Sequence, residues 1–545
     1  MLGLMQDWPL LCTKILDHAA TYHGGRSVVT RTVEGPIHRT TYADIHLRAR
    51  KVAQALVRDG IGFGDRVATM ATNTYRHLEA WYGILGIGAV YHTVNPRLFH
   101  DQIVYIMNHA EDRILLVDAP FVPIIEANRD QLPKLEKVVV LCGPEDLPQS
   151  TLDLVSFEDW IAPGDGDFAW AAFDENTAAG MCYTSGTTGN PKGVVYSHRS
   201  NVLHALAVSV PDMLNLSMND VVMPVVPLFH ANGWSLAFSA PLNGSALVMP
   251  GARMDGEAIY ELLETEKVTF TAAVPTVWLM LLQHMEKHDL RLTHLKRVAI
   301  GGSAVPRAMI EKFQDNYGVE VIHAWGMTEM SPIGSGGTIK PEYRHLTGAA
   351  KVDLQLKQGH PPFTVEMKIT DDANNPLPWD GKTFGRLKVR GPCVARSYFR
   401  GEGGEILDEQ GFFDTGDVST MDPHGYMHIT DRAKDVIKSG GEWISSIDLE
   451  NEAVGCPGVA EAAVIGVAHP KWDERPLLVI VRKDGAQVTK EQVLDHLASR
   501  VAKFWMPDDV VFVDEIPHTA TGKIQKMALR EQFSDYRLPT VDAAE

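Results

Sequence analysis

Short β-branched runs alternate along the chain with longer segments whose apolar residues recur at helical spacing. The runs RILLVDA at 113–119, KVVVLCG at 137–143, RVAIGG at 297–302 and VEVIHAWG at 319–326 have the length and composition of buried strands. Between them, segments such as ELLETEKV at 261–268 and VWLMLLQHMEKH at 277–288 carry the spacing of amphipathic helices. Strand–turn–helix alternation over hundreds of residues predicts the α/β class: parallel-rich sheets flanked by helices. Ligands gather at the carboxyl ends of the strands in such sheets. Gly301, Gly302 and Gly326, which close two of the runs, are therefore the first places to look for a site.

The pattern changes after about residue 400. GFFDTGDV at 411–418 and MDPHGYMHIT at 421–430 read as short hairpin pieces. DRAKDVIKSGGEWIS then opens a last segment of the size of a small domain. The expected division is a large N-terminal domain, 1–430, and a small mobile α+β domain, 431–545, with the boundary at Asp431. The longest apolar stretch, Trp81 to Val94, is broken by Gly83, Gly86 and Gly88 and is too short to cross a bilayer.

Charge narrows the partners. With 50 Lys and Arg against 69 Asp and Glu, the formal net charge is −19, which argues against broad binding of nucleic acid or anionic membrane. Anionic ligands remain open, because a local cluster of basic side chains and backbone N–H groups holds phosphate inside an acidic protein. Cys12, Cys142, Cys182, Cys393 and Cys456 are odd in number, scattered and never spaced C-x-x-C. They read as reduced thiols rather than a disulfide frame or zinc site. The first twenty residues lack a basic n-region and include Asp7, and the final VDAAE is no organellar address, so a cytoplasmic enzyme is expected.

The densest local signal is Thr184-Ser185-Gly186-Thr187-Thr188-Gly189-Asn190-Pro191-Lys192-Gly193, between the apolar run AAGMCY and VVYSH. Hydroxyls, backbone N–H groups bared by glycine and the Lys192 ammonium suit a triphosphate on a turn between two strands. Pro191 before the lysine and Gly193 after it exclude a Walker A loop. A Gly/Ser/Thr run on its own is usually a surface turn. This one is followed, in order, by Phe229-His230-Ala231-Asn232-Gly233-Trp234, Gly301-Gly302-Ser303, Trp325-Gly326-Met327-Thr328-Glu329, Asp414-Thr415-Gly416-Asp417, Asp431-Arg432-Ala433-Lys434-Asp435, Lys438-Ser439-Gly440-Gly441-Glu442 and Pro517-His518-Thr519-Ala520-Thr521-Gly522-Lys523.

Over nearly its whole length the chain resembles the adenylate-forming superfamily of acyl-CoA synthetases, luciferases and peptide-synthetase adenylation domains, and within it the fatty-acyl-CoA ligase branch. The resemblance implies a carboxylate attacking the α-phosphorus of ATP. Two anions then meet, so positive charge and hydrogen-bond donors must converge there. It makes Lys523 the catalytic bridge between carboxylate and α-phosphate, with Glu329 and His230 as further catalytic residues. Thr184 and Glu329 stand on the magnesium side. Ser185, Gly186, Thr187, Thr188, Gly189 and Lys192 take the phosphates. Gly302, Ser303, Ala324, Trp325, Gly326 and Thr328 surround the nucleotide, Trp325 standing where the superfamily usually has tyrosine. Asp417 accepts from the ribose hydroxyls, Arg432 adds a second ribose or phosphate contact, and Lys434 and Lys438 are further charges that a solvated hairpin would also carry. Trp234, Gly301 and Pro275 line the acyl pocket.

Asp431 matches the hinge about which the small domain turns between an adenylating and a thioester-forming pose. In the second pose Gly440 and Gly441, with Glu442 and Trp443, would line the pantetheine tunnel. HPKWDERP at 469–476 departs from the resembling HPKWGERP at Asp473, which puts CoA nucleotide contacts there in question. The implied function is an ATP-dependent acyl-CoA ligase using ATP, Mg2+ and coenzyme A, with a short to medium acid, 3-methylmercaptopropionate first and a medium-chain fatty acid as the alternative. Amino-acid activation fits less well, since FHANGW lacks the acid that would hold an α-amine. A non-catalytic nucleotide sensor is the rival outside enzymes. The expected partners are small molecules, with no nucleic acid and no membrane span, in a homodimer.

Overall fold

The computed structural model describes residues 1, 3–184, 190–433, 435–439, 442–518 and 524–539, with Glu442 and Trp443 described by backbone alone. Two large sheets take their strands from residues 27–336. In the seven-stranded sheet the order is Leu154–Ser156, Lys137–Val140, Ile114–Val117, Arg66–Met70, Val90–Thr93, Ala178–Tyr183 and Gly193–Ser197. All neighbours are parallel except the last pair, an antiparallel hairpin. In the eight-stranded sheet Glu320–Gly326, Arg297–Ile300, Phe270–Ala273, Val221–Pro224, Ala246–Met249 and Ser27–Arg31 run parallel, with Ile333–Gly336 and Ile37–Thr41 antiparallel at its two edges. Each run read as a strand lies in one of these sheets, and the two helical segments fall in Gly256–Thr265 and Pro275–Lys287.

The apolar stretch from Trp81 is core. Helix Tyr75–Gly86 is buried on nearly all sides and leads into the buried strand Val90–Thr93. The Trp81 and Tyr91 rings stack with centroids 4.3 Å apart, and Phe238 packs beside them. All three rings belong to one buried cluster, and burial of such large rings is a strongly favourable term in folding.

A third sheet, wholly antiparallel, follows: Glu366–Thr370, Gly385–Arg390, Phe413–Met421 and Met427–Arg432. Its second half is the hairpin read at 411–430. Its first half gave no comparable signal, because charged residues interleave with the apolar ones. A fourth sheet contains Glu442–Ile444, Ile437–Ser439, Asp473–Arg482 and Val459–His469 in antiparallel order, with Asp509–Val513 added in parallel. Helix Ser446–Val454 packs on Val459–His469.

Asp431, read as the division point, lies on the last strand of the third sheet and is deeply buried. Its carboxylate accepts from Arg432 N at 2.8 Å, from Ser446 N at 3.0 Å and from the Ser446 hydroxyl. Lys526 Nζ lies 3.9 Å from Asp431, 2.8 Å from Glu450, and donates to the same Ser446 hydroxyl. Burial opposes the Lys526 charge, but the Glu450 and Asp431 carboxylates outweigh it and hold the ammonium's pKa above its ordinary value.

Candidate functional site

The hairpin Ala178–Tyr183/Gly193–Ser197 presents the hydroxyl- and glycine-rich turn. Its neck is closed twice: Thr184 N donates to Lys192 O at 2.9 Å, and Lys192 N donates to Thr184 Oγ1 at 3.1 Å. Ser185, Gly186, Thr187, Thr188 and Gly189 lie outside the described residues. Thr184 and His230 line one small cavity of about 20 Å³, together with Thr93, Asn95, Tyr183 and Phe229. The fold therefore brings together two expected site residues that stand far apart in sequence.

Glu329 sits in the 3-10 turn Thr328–Met330, just beyond strand Glu320–Gly326, and is buried. Segment 392–401 holds it from two directions. Ala395 N donates to the Glu329 carbonyl at 2.7 Å, and the Tyr398 hydroxyl donates to Glu329 Oε1 at 2.6 Å. The Tyr196 hydroxyl adds a bond to Thr328 O at 2.7 Å. Lys192 Nζ stands 5.0 Å from the centroid of the Tyr398 ring, a cation–π distance. Burial and then the Glu329 charge push the Tyr398 phenol pKa up, so the hydroxyl keeps its proton and donates. Thr184, Lys192, Tyr398 and Glu329 thus form one continuous chain of contacts. It borders an open groove of about 570 Å³ lined by Glu329, Tyr398, Tyr196, Ser331 and Arg396. The motif reading did not reach Tyr398; the tyrosine of VARSYF, 69 positions after Glu329, was its only trace.

Asp417 lies on strand Phe413–Met421 and is buried. Trp325 Nε1 donates to its Oδ2 at 3.0 Å, and Arg432 Nε pairs with its Oδ1 at 2.9 Å. Arg432 also donates to Thr415 O at 3.2 Å. Trp325 is itself buried, packed in an apolar cluster with Met330. Its polar edge is committed to the carboxylate, so the tryptophan that replaces the usual tyrosine ties two sheets together.

Gly302 has φ +84°, a conformation that excludes most side chains. A side-chain carbon at Gly301 would stand 2.4 Å from the Ala324 carbonyl oxygen and 3.1 Å from the Trp234 ring. Glycine there lets Trp234 reach the end of strand Arg297–Ile300. Trp234 belongs to a left-handed turn in which Ala231, Asn232, Gly233, Trp234 and Ser235 all have φ between 38° and 66°. It is buried in the main core cluster and stands beside Gly301, at the strand end where the acyl pocket was expected. Pro275 begins helix Pro275–Lys287 after strand Phe270–Ala273, where a missing N–H is harmless. Ser303 follows Gly302 at the same strand end.

In the last segment, Lys438 is exposed on strand Ile437–Ser439, with its backbone N–H bonded to Glu474. That strand pairs with Glu442–Ile444. Lys434, Gly440, Gly441 and Lys523 lie outside the described residues. Asp473 has φ +71°, so the aspartate keeps a left-handed position that glycine fills in the resembling motif. Among the described residues no group of three or more His, Cys, Asp or Glu is placed to hold a metal ion. No helix described is long and apolar enough to cross a membrane.

Comparison with known proteins adds independent findings. Residues 16–399 match the AMP-binding enzyme family, and residues 448–523 match the AMP-binding enzyme C-terminal domain. The chain is 50% identical over 537 residues to a 3-methylmercaptopropionyl-CoA ligase of Ruegeria lacuscaerulensis, covering 98% of this chain and 99% of that protein. It is 46% identical over 539 residues to a medium-chain-fatty-acid–CoA ligase of Ectopseudomonas oleovorans, covering 99% and 98%. Among solved structures it is similar to the anthranilate CoA ligase AuaEII in complex with anthranoyl-AMP. The TM-score is 0.85 at 28% identity, covering 97% of this chain and 99% of that one.

Proposed function

The chain belongs to the AMP-binding enzyme family, and from that membership we infer an ATP-dependent acid–CoA ligase working in two steps. Acid and ATP give an acyl-adenylate and pyrophosphate; the acyl-adenylate and CoA then give acyl-CoA and AMP. The single observation that supports this most is the contact chain Thr184–Lys192–Tyr398–Glu329, which sets two oxygen donors and an ammonium at the ends of the strands. Charge of both signs is needed where a carboxylate approaches a polyphosphate.

Asp417 takes the ribose hydroxyls in this reading, being an acceptor already oriented by Trp325 and Arg432. Thr184 and Glu329 offer only oxygen, the donor set that suits Mg2+ completed by phosphate oxygens. When bound, that ion neutralises polyphosphate charge. Lys523 bridges the acid's carboxylate and the α-phosphate in the first step. The small domain then turns at Asp431, withdraws Lys523 and brings the Gly440–Gly441 segment to the CoA arm.

The acid we assign is 3-methylmercaptopropionate, on the strength of the relative that is 50% identical, with a medium-chain fatty acid as second reading from the relative at 46%. A cytoplasmic setting is supported by five buried, unbridged cysteines, and a homodimer by the family resemblance. The deciding assay is CoA-dependent AMP release over acids of about 2 to 12 carbons, with and without a thioether, since each buried CH₂ shifts binding measurably. Acid-stimulated pyrophosphate exchange is expected. Its absence with every acid would leave a nucleotide sensor.

A further inference from the structure

Tyr398 stands where two otherwise separate parts of the site meet. Its ring lies beside the Lys192 ammonium, at the foot of the phosphate turn, and its hydroxyl is on Glu329 Oε1. The segment that carries it is anchored on both sides. Ala395 N bonds the Glu329 carbonyl, the Ser331 hydroxyl bonds Cys393 O at 3.0 Å, and Arg400 pairs with Glu111 at 3.2 Å. The ring is thus held by its own segment as well as by its two side-chain partners.

We propose that Tyr398 is a positioning residue for metal–nucleotide binding, fixing the Glu329 carboxylate and the Lys192 ammonium in one geometry before ATP arrives. This deepens the ligase reading and rests on its assignment of Glu329 to the metal side. The phenol has a single O–H. Its donation to Oε1 selects one rotamer of Glu329, so the carboxylate does not swing into the adjacent groove. The face of the same ring holds the lysine by attraction to its π electrons, without taking any of its three donors from the phosphates. The two contacts use different parts of Tyr398 and separate by substitution. Tyr398→Phe keeps the ring beside Lys192 and removes the donor from Glu329; Tyr398→Leu removes both.

The test is calorimetric binding to the whole enzyme, without acid, of ATP with Mg2+ and of ATP with a chelator. Wild type, Tyr398→Phe, Tyr398→Leu, Glu329→Gln and the Tyr398→Phe/Glu329→Gln double variant are compared. Tyr398→Phe is expected to weaken binding of the magnesium form about tenfold, the scale for losing a hydrogen bond to a charged group, and to leave metal-free ATP within about twofold. Tyr398→Leu is expected to weaken both forms. In the Glu329→Gln background the Phe substitution should add nothing. A ring that only fills space predicts equal effects on both forms of ATP, or none for Tyr398→Phe; either result overturns the inference. Glu329→Gln that binds magnesium–ATP like wild type overturns the underlying reading instead. Glu329→Gln that is weak, with Tyr398→Phe unaffected, overturns the inference alone.

Discussion

The indole N–H of Trp325 donates to Asp417 Oδ2 at 3.0 Å, and through that bond the end of a strand in the eight-stranded sheet is tied to a strand of the antiparallel sheet beside it. Arg432 holds the other carboxylate oxygen. If Asp417 takes a ribose diol, an acceptor steered from both sides loses little freedom when the diol arrives, and part of the ordering cost of binding is met in advance.

Trp325→Phe keeps an aromatic ring and removes the donor. The KM for ATP should rise about tenfold, the scale of a hydrogen bond to a charged group, while the KM for the acid stays near its wild-type value. Pyrophosphate exchange with each substrate varied in turn measures both. An equal rise in the two constants would make the bond a general brace rather than a nucleotide contact.

Lys523→Ala should slow acid-dependent pyrophosphate exchange by ~10²-fold or more, the scale for losing a preorganised charge contact in a transition state. Transfer from supplied acyl-adenylate to CoA should be largely spared if the lysine serves the first step alone. Equal losses in both half-reactions would refute the assignment of one residue to one pose.

Trp234 separates two outcomes. Its ring touches Gly301 at a strand end and is also packed in the core. If the indole closes the acyl pocket, Trp234→Ala opens room along the chain, and each added CH₂ recovers roughly 0.8 kcal/mol, close to fourfold in affinity. The kcat/KM optimum over straight-chain acids should move to longer chains. An unmoved optimum with a lowered melting temperature would make the tryptophan purely structural, at a cost of about 3–5 kcal/mol.

His204 gives the fold a pH dependence of calculable sign. Its Nε2 accepts the Ile333 N–H at 2.9 Å, and burial pushes its pKa down to about 4. The unfolded side chain titrates near 6.5. Between those values the unfolded chain binds a proton that the native one refuses. The contribution to stability is therefore complete above about pH 6.5 and is lost as pH falls toward 4. Urea unfolding of His204→Gln, compared with wild type from pH 7 to pH 4.5, should show a slope lower by as much as ~1.4 kcal/mol per pH unit. Parallel curves would refute it.

Periodicity exposed the buried parallel strands because burial on both faces demands continuous Val, Ile and Leu, as in Ile114–Val117 and Lys137–Val140. Strands Glu366–Thr370 and Gly385–Arg390 were not legible, since charged residues interleave with the apolar ones and each reads as a mixed polar loop. Thr184, Glu329, Asp417 and Arg432 were legible through contiguous motifs. Tyr398 was not: what gives it importance is the register of a loop against Glu329, and no spacing in the chain encodes that. The double commitment of Asp417 was equally hidden, because Trp325 stands 92 positions away from it in sequence.

Asp431 was read as a joint, and joints suggest slack. The structure gives it none: its carboxylate is sealed in with Ser446, Arg432 N and the ammonium of Lys526, which Glu450 holds from the far side. A turn at this residue must carry Ser446, Glu450 and Lys526 round as one block or separate a buried cation from a counter-charge, and breaking such a pair costs about 3–5 kcal/mol. If the small domain does turn at Asp431, the pivot works as a mechanical detent. It resists small displacements, favours a defined stop and gives way only to a push of several kcal/mol. Movement between stops is then abrupt, and the stiffness of the catch, rather than the length of the linker, sets how often the small domain changes sides.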